Sequence, residues 1–397
     1  MVAPSPGNVT ARAAGRPKCQ DIRATIVGTK GSDVIQGTKK RDVIAGLAGN
    51  DIIYGMGAND RICGGPGHDR IYGGRGDDRL SGNRGNDSLF GEGGKDIILG
   101  GLGADGCLDG GGGGKKTSCS LVVAAAGDIA CEPGSPITPT LCHHGAVSDL
   151  LVTGGYVAVM PLGDVQYEDG ALAKFQGSYH PTWGRVLDMT YPSVGNHEYL
   201  TPGASGYFDY FNGVGNFGGR AGDRDKGYYS YDLDNWHVVV VNSNCTDAGG
   251  CTPGTPQYDW LAADLAAHPA ACTLAYWHIP LFSSGGRASP NTRHIWQLLY
   301  DNNADLILEG HDHIYERFAP QTPTGVPDPA RGIRSFVVGT GGSNHTLLPS
   351  IAANSEVRDN TTFGVLSLTL RKGSYDWRFV PEISSGTFTD AGSNACH

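Results

Sequence analysis

No apolar run in this 397-residue chain approaches the roughly 20 residues a bilayer-spanning helix needs, so nothing in it reads as a membrane span. No Cys-x-x-Cys pair occurs among the ten cysteines, which weakens a cysteine-rich zinc reading. The Met1–Arg16 stretch lacks the apolar centre of a signal peptide. Rich in Ala, Pro and Gly, it is expected to be a mature terminus behind an added Met. Basic residues are sparse in the larger part of the chain: residues 121–397 hold 14 Lys+Arg against 27 Asp+Glu, whereas residues 1–120 hold 16 against 13. An acidic major part argues against nucleic acid as the main partner.

The length and this change of composition predict two domains. The cysteines divide evenly, four before residue 120 (Cys19, Cys63, Cys107, Cys119) and six after it, so pairing within each domain in an oxidising, extracellular compartment is expected. Proximity favours Cys131–Cys142 and Cys245–Cys251, leaving Cys272 with Cys396, although six cysteines allow 15 connectivities.

Asp33, Asp42, Asp51, Asp60, Asp69, Asp78, Asp87, Asp96 and Asp105 are spaced by nine without a slip. A glycine stands five residues before each, and an apolar residue two after it, from Ile35 to Ile98 and then Cys107. The pattern resembles the nonapeptide repeat of RTX proteins, which implies a parallel β-roll with Ca²⁺ between its coils. A core one side chain thick implies folding coupled to Ca²⁺. Asp51, Asp69, Asp78, Asp87, Asp96 and Asp105 are the expected Ca²⁺ ligands. Lys40 and Ala58 replace the glycine two before Asp42 and Asp60, and with the cations of Gly37–Asp42 they point to weak or absent binding in the N-terminal coils. The expected organisation is a flexible tail over 1–18, the roll over 19–109, a Gly-rich linker over 110–120 and a second domain over 121–397.

From Leu121 the texture becomes strand, loop, helix. LVVAAAGD, YVAVMPLGD, TYPSVGNH, WHVVVVNSN, CTLAYWH and ADLILEGHDH read as strands, mostly buried on both faces. Pro256–His268 and Asn291–Asn302 read as helices, and Phe363–Pro381 as a hairpin turning at Lys372–Gly373. This is an α/β pattern, which places chemistry at the carboxyl ends of its strands.

Five strings there supply oxygen or imidazole ligands: GDIA (Gly127–Ala130), GDVQY (Gly163–Tyr167), GNHE (Gly195–Glu198), His278 in AYWHIP and GHDH (Gly310–His313). Singly each is weak, since Asp128 and Asp164 could be turn residues and His278 a core histidine; together they point to two metals. The set resembles the calcineurin-like metallophosphoesterases and, within them, the purple acid phosphatases, because Ala130 stands where many relatives carry a His and Tyr167 follows Asp164 by three. The resemblance implies a four-layer α/β/β/α sandwich. It also implies a first metal on Asp128, Asp164, Tyr167 and His313, and a second on Asp164, Asn196, His278 and His311, with Asp164 bridging through its two oxygens. Fe³⁺ suits the phenolate site, and Fe²⁺, Zn²⁺ or Mn²⁺ the other.

The implied activity is a secreted acid phosphatase that cleaves small-molecule phosphate monoesters by attack of a metal-activated hydroxide, with Asp164 and His197 catalytic and His197 as leaving-group acid. Where relatives often place a further histidine, this chain has Arg287, which reads as a solvated loop cation rather than a phosphate clamp. Arg317 reads as a brace, and His143 and His144 as solvent-facing. The alternatives are a phosphodiesterase using the same metals and a Ca²⁺-dependent protein that contacts a cell surface or matrix through the roll, its second domain inert.

Overall fold

The computed structural model describes residues 17–397, so the expected N-terminal tail lies, apart from residues 17 and 18, outside the described residues. The nine-residue period produces coils of 18 residues, two repeats each, stacked in parallel. One face is a sheet ordered Gly106–Leu108, Ser88–Gly93, Arg70–Arg75, Ile52–Tyr54, Val34–Gln36. The other is ordered Lys115–Thr117, Ile97–Leu102, Arg79–Arg84, Arg61–Pro66, Val43–Ala45, Ile26–Val27. Pairing joins residues 18 apart, such as Ile71 with Leu89 and Ile62 with Leu80. Ile35, Ile44, Ile53, Ile62, Ile71, Leu80, Leu89, Ile98 and Cys107 fill the space between the faces in single file. The winding runs on through Lys115–Thr117, within the stretch expected to be a linker. Gly110 and Gly113, in the left-handed region, help make one more turn there.

The second domain packs a five-stranded sheet (order Ala158–Pro161, Leu121–Ala126, Gly364–Arg371, Ser374–Pro381, Ala391–Ala395) against a seven-stranded one. The latter runs Tyr229–Leu233, Trp236–Val240, Cys272–Tyr276, Leu306–Glu309, Arg334–Val338, Tyr315–Phe318, Ser355–Asp359. Alternation along the strands explains the layering. Val238, Val240, Leu274 and Phe336 join Val123, Leu366 and Leu368 in the core between the sheets. Val239, Val241, Ala275 and Ile307 point the other way, onto Leu261 and Leu265 of the helix Pro256–Ala267 and Ile295, Trp296 and Leu299 of the helix Arg293–Asp301. The helix His144–Thr153 packs against Gly364–Arg371 from the far side. The expected hairpin is present, with Arg371 paired to Ser374. TYPSVGNH is not a strand. It makes only isolated bridges, Val159 to Thr190 and Leu162 to Ser193, since Pro192 between them has no N–H to donate.

Five disulfides join Cys19–Cys63, Cys107–Cys119, Cys131–Cys142, Cys245–Cys251 and Cys272–Cys396, all within the expected groups, and no cysteine is free. No helix of the described residues is long and apolar enough to cross a membrane.

The roll lies against the second domain. Tyr54, Tyr72 and Phe90, stacked at ring distances of 5.0 and 4.7 Å, form a ladder on its outer face. Tyr72 and Phe90 are buried in the same apolar cluster as the strands Leu121–Ala126 and Gly364–Arg371. Asp188 accepts hydrogen bonds from Arg70 Nη1 (2.6 Å) and Tyr72 Oη (2.5 Å), and Ser88 Oγ donates to Tyr156 O at 2.6 Å.

Candidate metal centre

Four of the five strings leave neighbouring strand ends side by side. Asp128 follows Leu121–Ala126, Asp164 follows Ala158–Pro161, His278 follows Cys272–Tyr276, and His311 and His313 follow Leu306–Glu309. The fifth, Gly195–Glu198, lies on the loop that TYPSVGNH forms instead of a strand. In the four strings that open on a glycine, that glycine has a packing cause. A Cβ on Gly195 would lie 2.1 Å from Asp164 N, and one on Gly163 (φ +82°) 2.6 Å from the His278 ring. Only bare backbone lets these loops meet. Asp128 (φ +60°), Asp164 (φ +45°) and His311 (φ +72°) themselves adopt left-handed backbone, a conformation that non-glycine residues hold at a cost and that collects at functional sites.

The side chains converge in two groups that share one atom. Tyr167 Oη lies 2.8 Å from Asp128 Oδ1, 3.2 Å from Asp164 Oδ2 and 3.0 Å from His313 Nε2. Around His278 Nε2 stand Asp164 Oδ2, Asn196 Oδ1 and His311 Nδ1, each at 3.1 Å. Asp164 Oδ2 thus faces both groups. Its Oδ1 instead accepts the His197 backbone N–H at 2.9 Å, so the expected bridge through two oxygens reduces here to one oxygen shared by both groups.

This donor set fits metal ions. Three polar atoms crowd His278 Nε2, which can form at most one good hydrogen bond among them, whichever tautomer it adopts. Burial works against charge on Asp164, yet His278 outweighs it and holds the carboxyl well below its ordinary value; Asp128 is likewise lowered, against burial, by His313. His278 is held the other way: burial would lower it, but Asp164 pushes it up to about 9. A buried pocket with two ionised carboxylates demands positive charge.

Outer contacts fix the ligands. His278 Nδ1 donates to Leu162 O at 2.8 Å and His313 Nδ1 to Asn344 Oδ1 at 2.8 Å, turning both Nε2 atoms inward. Glu198, fully buried and pushed up to about 7 by burial and then by Asp164, accepts N–H bonds from Val165, Gln166 and Gly195, tying two ligand loops together. His197, like His311, is part-exposed. Its Nδ1 is 2.5 Å from Glu168 O and its Nε2 3.8 Å from Asp164 Oδ2. Arg317 is tied to Asp390 at 2.7 Å and to Glu356, as a brace would be. His143 is not solvent-facing: it is buried, with Nδ1 2.9 Å from Glu382 Oε2, because the helix it precedes packs onto the sheet.

The roll holds a second donor set. Each repeat aspartate from Asp51 to Asp105 accepts, through Oδ1, the backbone N–H of the aspartate 18 residues earlier, at 2.7–2.9 Å. Its Oδ2 is buried without a partner in Asp51, Asp60, Asp69, Asp78, Asp87, Asp96 and Asp105. Seven orphaned carboxylate oxygens in consecutive turns fit Ca²⁺. Asp33 and Asp42 differ, since their Oδ2 atoms accept from Thr29 N and Oγ1 (2.6 and 2.9 Å) and Thr38 N and Oγ1 (2.7 and 2.9 Å). A threonine four residues before the aspartate is the sequence signal for these closed turns. Asp60, left out of the expected ligands because of Ala58, has the same orphaned oxygen as its neighbours.

Residues 37–106 match the RTX calcium-binding nonapeptide repeat, and residues 121–315 match the calcineurin-like phosphoesterase family. The second domain is therefore a metallophosphoesterase, a fold and site class that implies two metals. The chain is 25% identical over 227 residues to purple acid phosphatase 15 of Arabidopsis thaliana, covering 49% of this chain and 40% of that one. It is 28% identical over 195 residues to human acid phosphatase type 7, covering 42% of each. The structure of purple acid phosphatase PPD1 from yellow lupin superposes with a TM-score of 0.56 at 19% identity, over 69% of this chain and 53% of that one, which shows a shared fold. The chain spans less than half the length of these curated relatives. It thus carries RTX calcium-binding repeats followed by a calcineurin-like phosphoesterase domain related to the purple acid phosphatases.

Proposed function

We propose that the protein is a secreted phosphatase that hydrolyses phosphate monoesters at this centre, with Ca²⁺ bound in the roll. The observation that carries the reading is the buried Tyr167 phenol in contact with Asp128, Asp164 and His313, a hard anionic corner suited to Fe³⁺. Asp164, Asn196, His278 and His311 form the mixed corner for Fe²⁺, Zn²⁺ or Mn²⁺. When bound, such a metal pair would polarise the phosphoryl oxygens and bring the pKa of water toward neutrality.

The chain's own residues do the rest. Glu198, Leu162 and Asn344 hold the ligands in place, and burial of Asp128, Asp164 and His278 keeps the dielectric low, which strengthens every charge interaction with a phosphate. His197, part-exposed and anchored through Nδ1 by Glu168 O, holds Nε2 3.8 Å from Asp164 Oδ2, where it would give a proton to the leaving alkoxide. Secretion is supported by ten paired cysteines and by the RTX calcium-binding repeats.

The test compares a chromogenic phosphate monoester with its diester, with Asp164→Asn as control. A monoester preference lost in the variant is expected. A diester preference would make the protein a phosphodiesterase with the same centre, and no cleavage by metal-loaded protein would favour a surface-binding role for the roll.

A further inference from the structure

Just past the nine-residue series, the last turn of the roll carries its two key residues exchanged. Continuing the period from Gly100 and Asp105 would put a glycine at 109 and an aspartate at 114; the chain has Asp109 and Gly114. Both lie beyond residues 37–106, over which the calcium-binding repeat matches. The coil nevertheless continues. Ile97 pairs with Lys115, and Lys115 N donates to Asp96 O at 2.7 Å. Asp109 O stands 3.1 Å from where a Cβ on Gly91 would be, much as Gly91 O stands 2.8 Å from that of Gly73.

The exchange keeps a carboxylate in the turn. In the regular turns glycine and aspartate face each other: a Cβ on each glycine from Gly46 to Gly100, nine residues apart, would fall 2.1–2.8 Å from Oδ2 of the aspartate five residues on. In the last turn a Cβ on Gly114 would fall 2.5 Å from Asp109 Oδ1, so the carboxylate comes from the opposite residue. Packing explains why. A Cβ at 114 would also lie 2.1 Å from Asp96 O, so only glycine fits there. A side chain at 109 is tolerated because Lys115–Thr117 is the outermost strand of its sheet, with no further coil above.

Asp109 Oδ2 accepts the Gly114 N–H at 2.9 Å. Its Oδ1 is buried without a partner, as is Oδ2 of Asp96 in the coil below. Asp109 is 6% exposed and Asp96 0%. Burial first, and then the charge of Asp109, pushes the Asp96 carboxyl up, against the Asp78 N–H that it accepts. Among the described residues no Lys or Arg pairs with either carboxylate, and Lys116 is tied to Asp234. Two buried carboxylates with open oxygens and no protein cation call for a hard ion.

We propose that Asp96 and Asp109 hold a terminal Ca²⁺, a site made by the exchange and not by the nonapeptide pattern. The row through Asp60, Asp78 and Asp96 then runs one coil further, into the segment that leads to Leu121. The proposal rests on the Ca²⁺-bound roll proposed above, and its test separates the two. Ca²⁺ bound per chain is counted by equilibrium dialysis on full-length wild type, Asp109→Asn, Asp96→Asn and the double variant, with Tm measured in EGTA and in excess Ca²⁺.

Asp109→Asn, which keeps an acceptor for Gly114 N, should bind one Ca²⁺ fewer than wild type. Its Tm should fall by a few degrees in excess Ca²⁺ and not at all in EGTA. The double variant should bind as many as Asp96→Asn alone, because both carboxylates serve one ion. A wild-type count in Asp109→Asn overturns the proposal, and so does a double variant that binds fewer than Asp96→Asn. If Asp109→Asn loses more than one ion, that comparison with Asp96→Asn decides. Wild type that binds no Ca²⁺ sinks the calcium reading of the roll and this site with it; Ca²⁺ in wild type with no loss in Asp109→Asn sinks this site alone.

Discussion

Removing Ca²⁺ with EGTA should leave a roll whose stability falls as the pH rises. The orphaned carboxylates are the cause. Burial, partly offset by the backbone N–H each accepts, pushes Asp60 up to about 6 and Asp69, Asp78 and Asp87 up to about 7, from 3.8. A folded-state pKa above the unfolded one means the contribution to stability is complete below about pH 4 and is lost as pH rises through about 7. A shift of about three units corresponds to ~4 kcal/mol per aspartate. These carboxylates lie just beneath the surface of a thin roll, so solvent screening cuts this to about 2 kcal/mol. Asp69, Asp78 and Asp87 together then cost about 6 kcal/mol at pH 8, comparable with the whole stability of many domains. The assay is thermal unfolding in EGTA and in excess Ca²⁺ at pH 5 and pH 8. About one unit of each shift is already lost by pH 5, so about 4 kcal/mol separates pH 5 from pH 8. At roughly 4–8 °C per kcal/mol for a domain of about 100 residues, the roll transition without Ca²⁺ should lie on the order of 15–30 °C lower at pH 8 than at pH 5. Ca²⁺, which replaces protons on the same oxygens, should remove most of that gap. Equal transitions at both pH values without Ca²⁺, or a higher one at pH 8, would refute the reasoning.

Three further outcomes are expected. Asp60→Asn should lower the Ca²⁺ bound per chain, measured by equilibrium dialysis, whereas Asp42→Asn should not, because Thr38 already satisfies the Asp42 Oδ2. Asp188→Ala, which strips Arg70 and Tyr72 of their shared acceptor, should cost about 2–3 kcal/mol and lower Tm by several degrees. Glu198→Gln should reduce transition-metal affinity roughly 10- to 100-fold, as an outer contact to a ligand loop does, read by competition with a chelator.

The candidate metal donors could be read from short strings set by local chemistry: in four of the five a glycine allows close approach just before the donor, and His278, after Trp277, follows a buried strand directly. Their supports could not, since Leu162 O, Asn344 and Glu198 act across the fold and nothing in their own neighbourhoods marks them. The roll was legible from its unbroken period. Its exclusion of Asp60 came from weighing Ala58, whereas the carboxylate is placed by its 18-residue register with Asp42 and Asp78. Tyr54, Tyr72 and Phe90, also 18 apart, carried the signal for the docked face; it is an aromatic ladder on the side of the roll that meets the second domain. The strand expected over Thr190–His197 failed on a single residue, Pro192, and that failure frees the loop that brings Asn196 to His278.

The most direct measurement is the transition-metal content per chain by elemental mass spectrometry, for wild type, Asp164→Asn and Asn196→Ala reconstituted side by side. The account predicts two metals in wild type, loss of both in Asp164→Asn because both groups share its Oδ2, and loss of mainly the non-iron metal in Asn196→Ala. One metal or none in wild type, or two retained by Asp164→Asn, would contradict a binuclear centre built on that carboxylate.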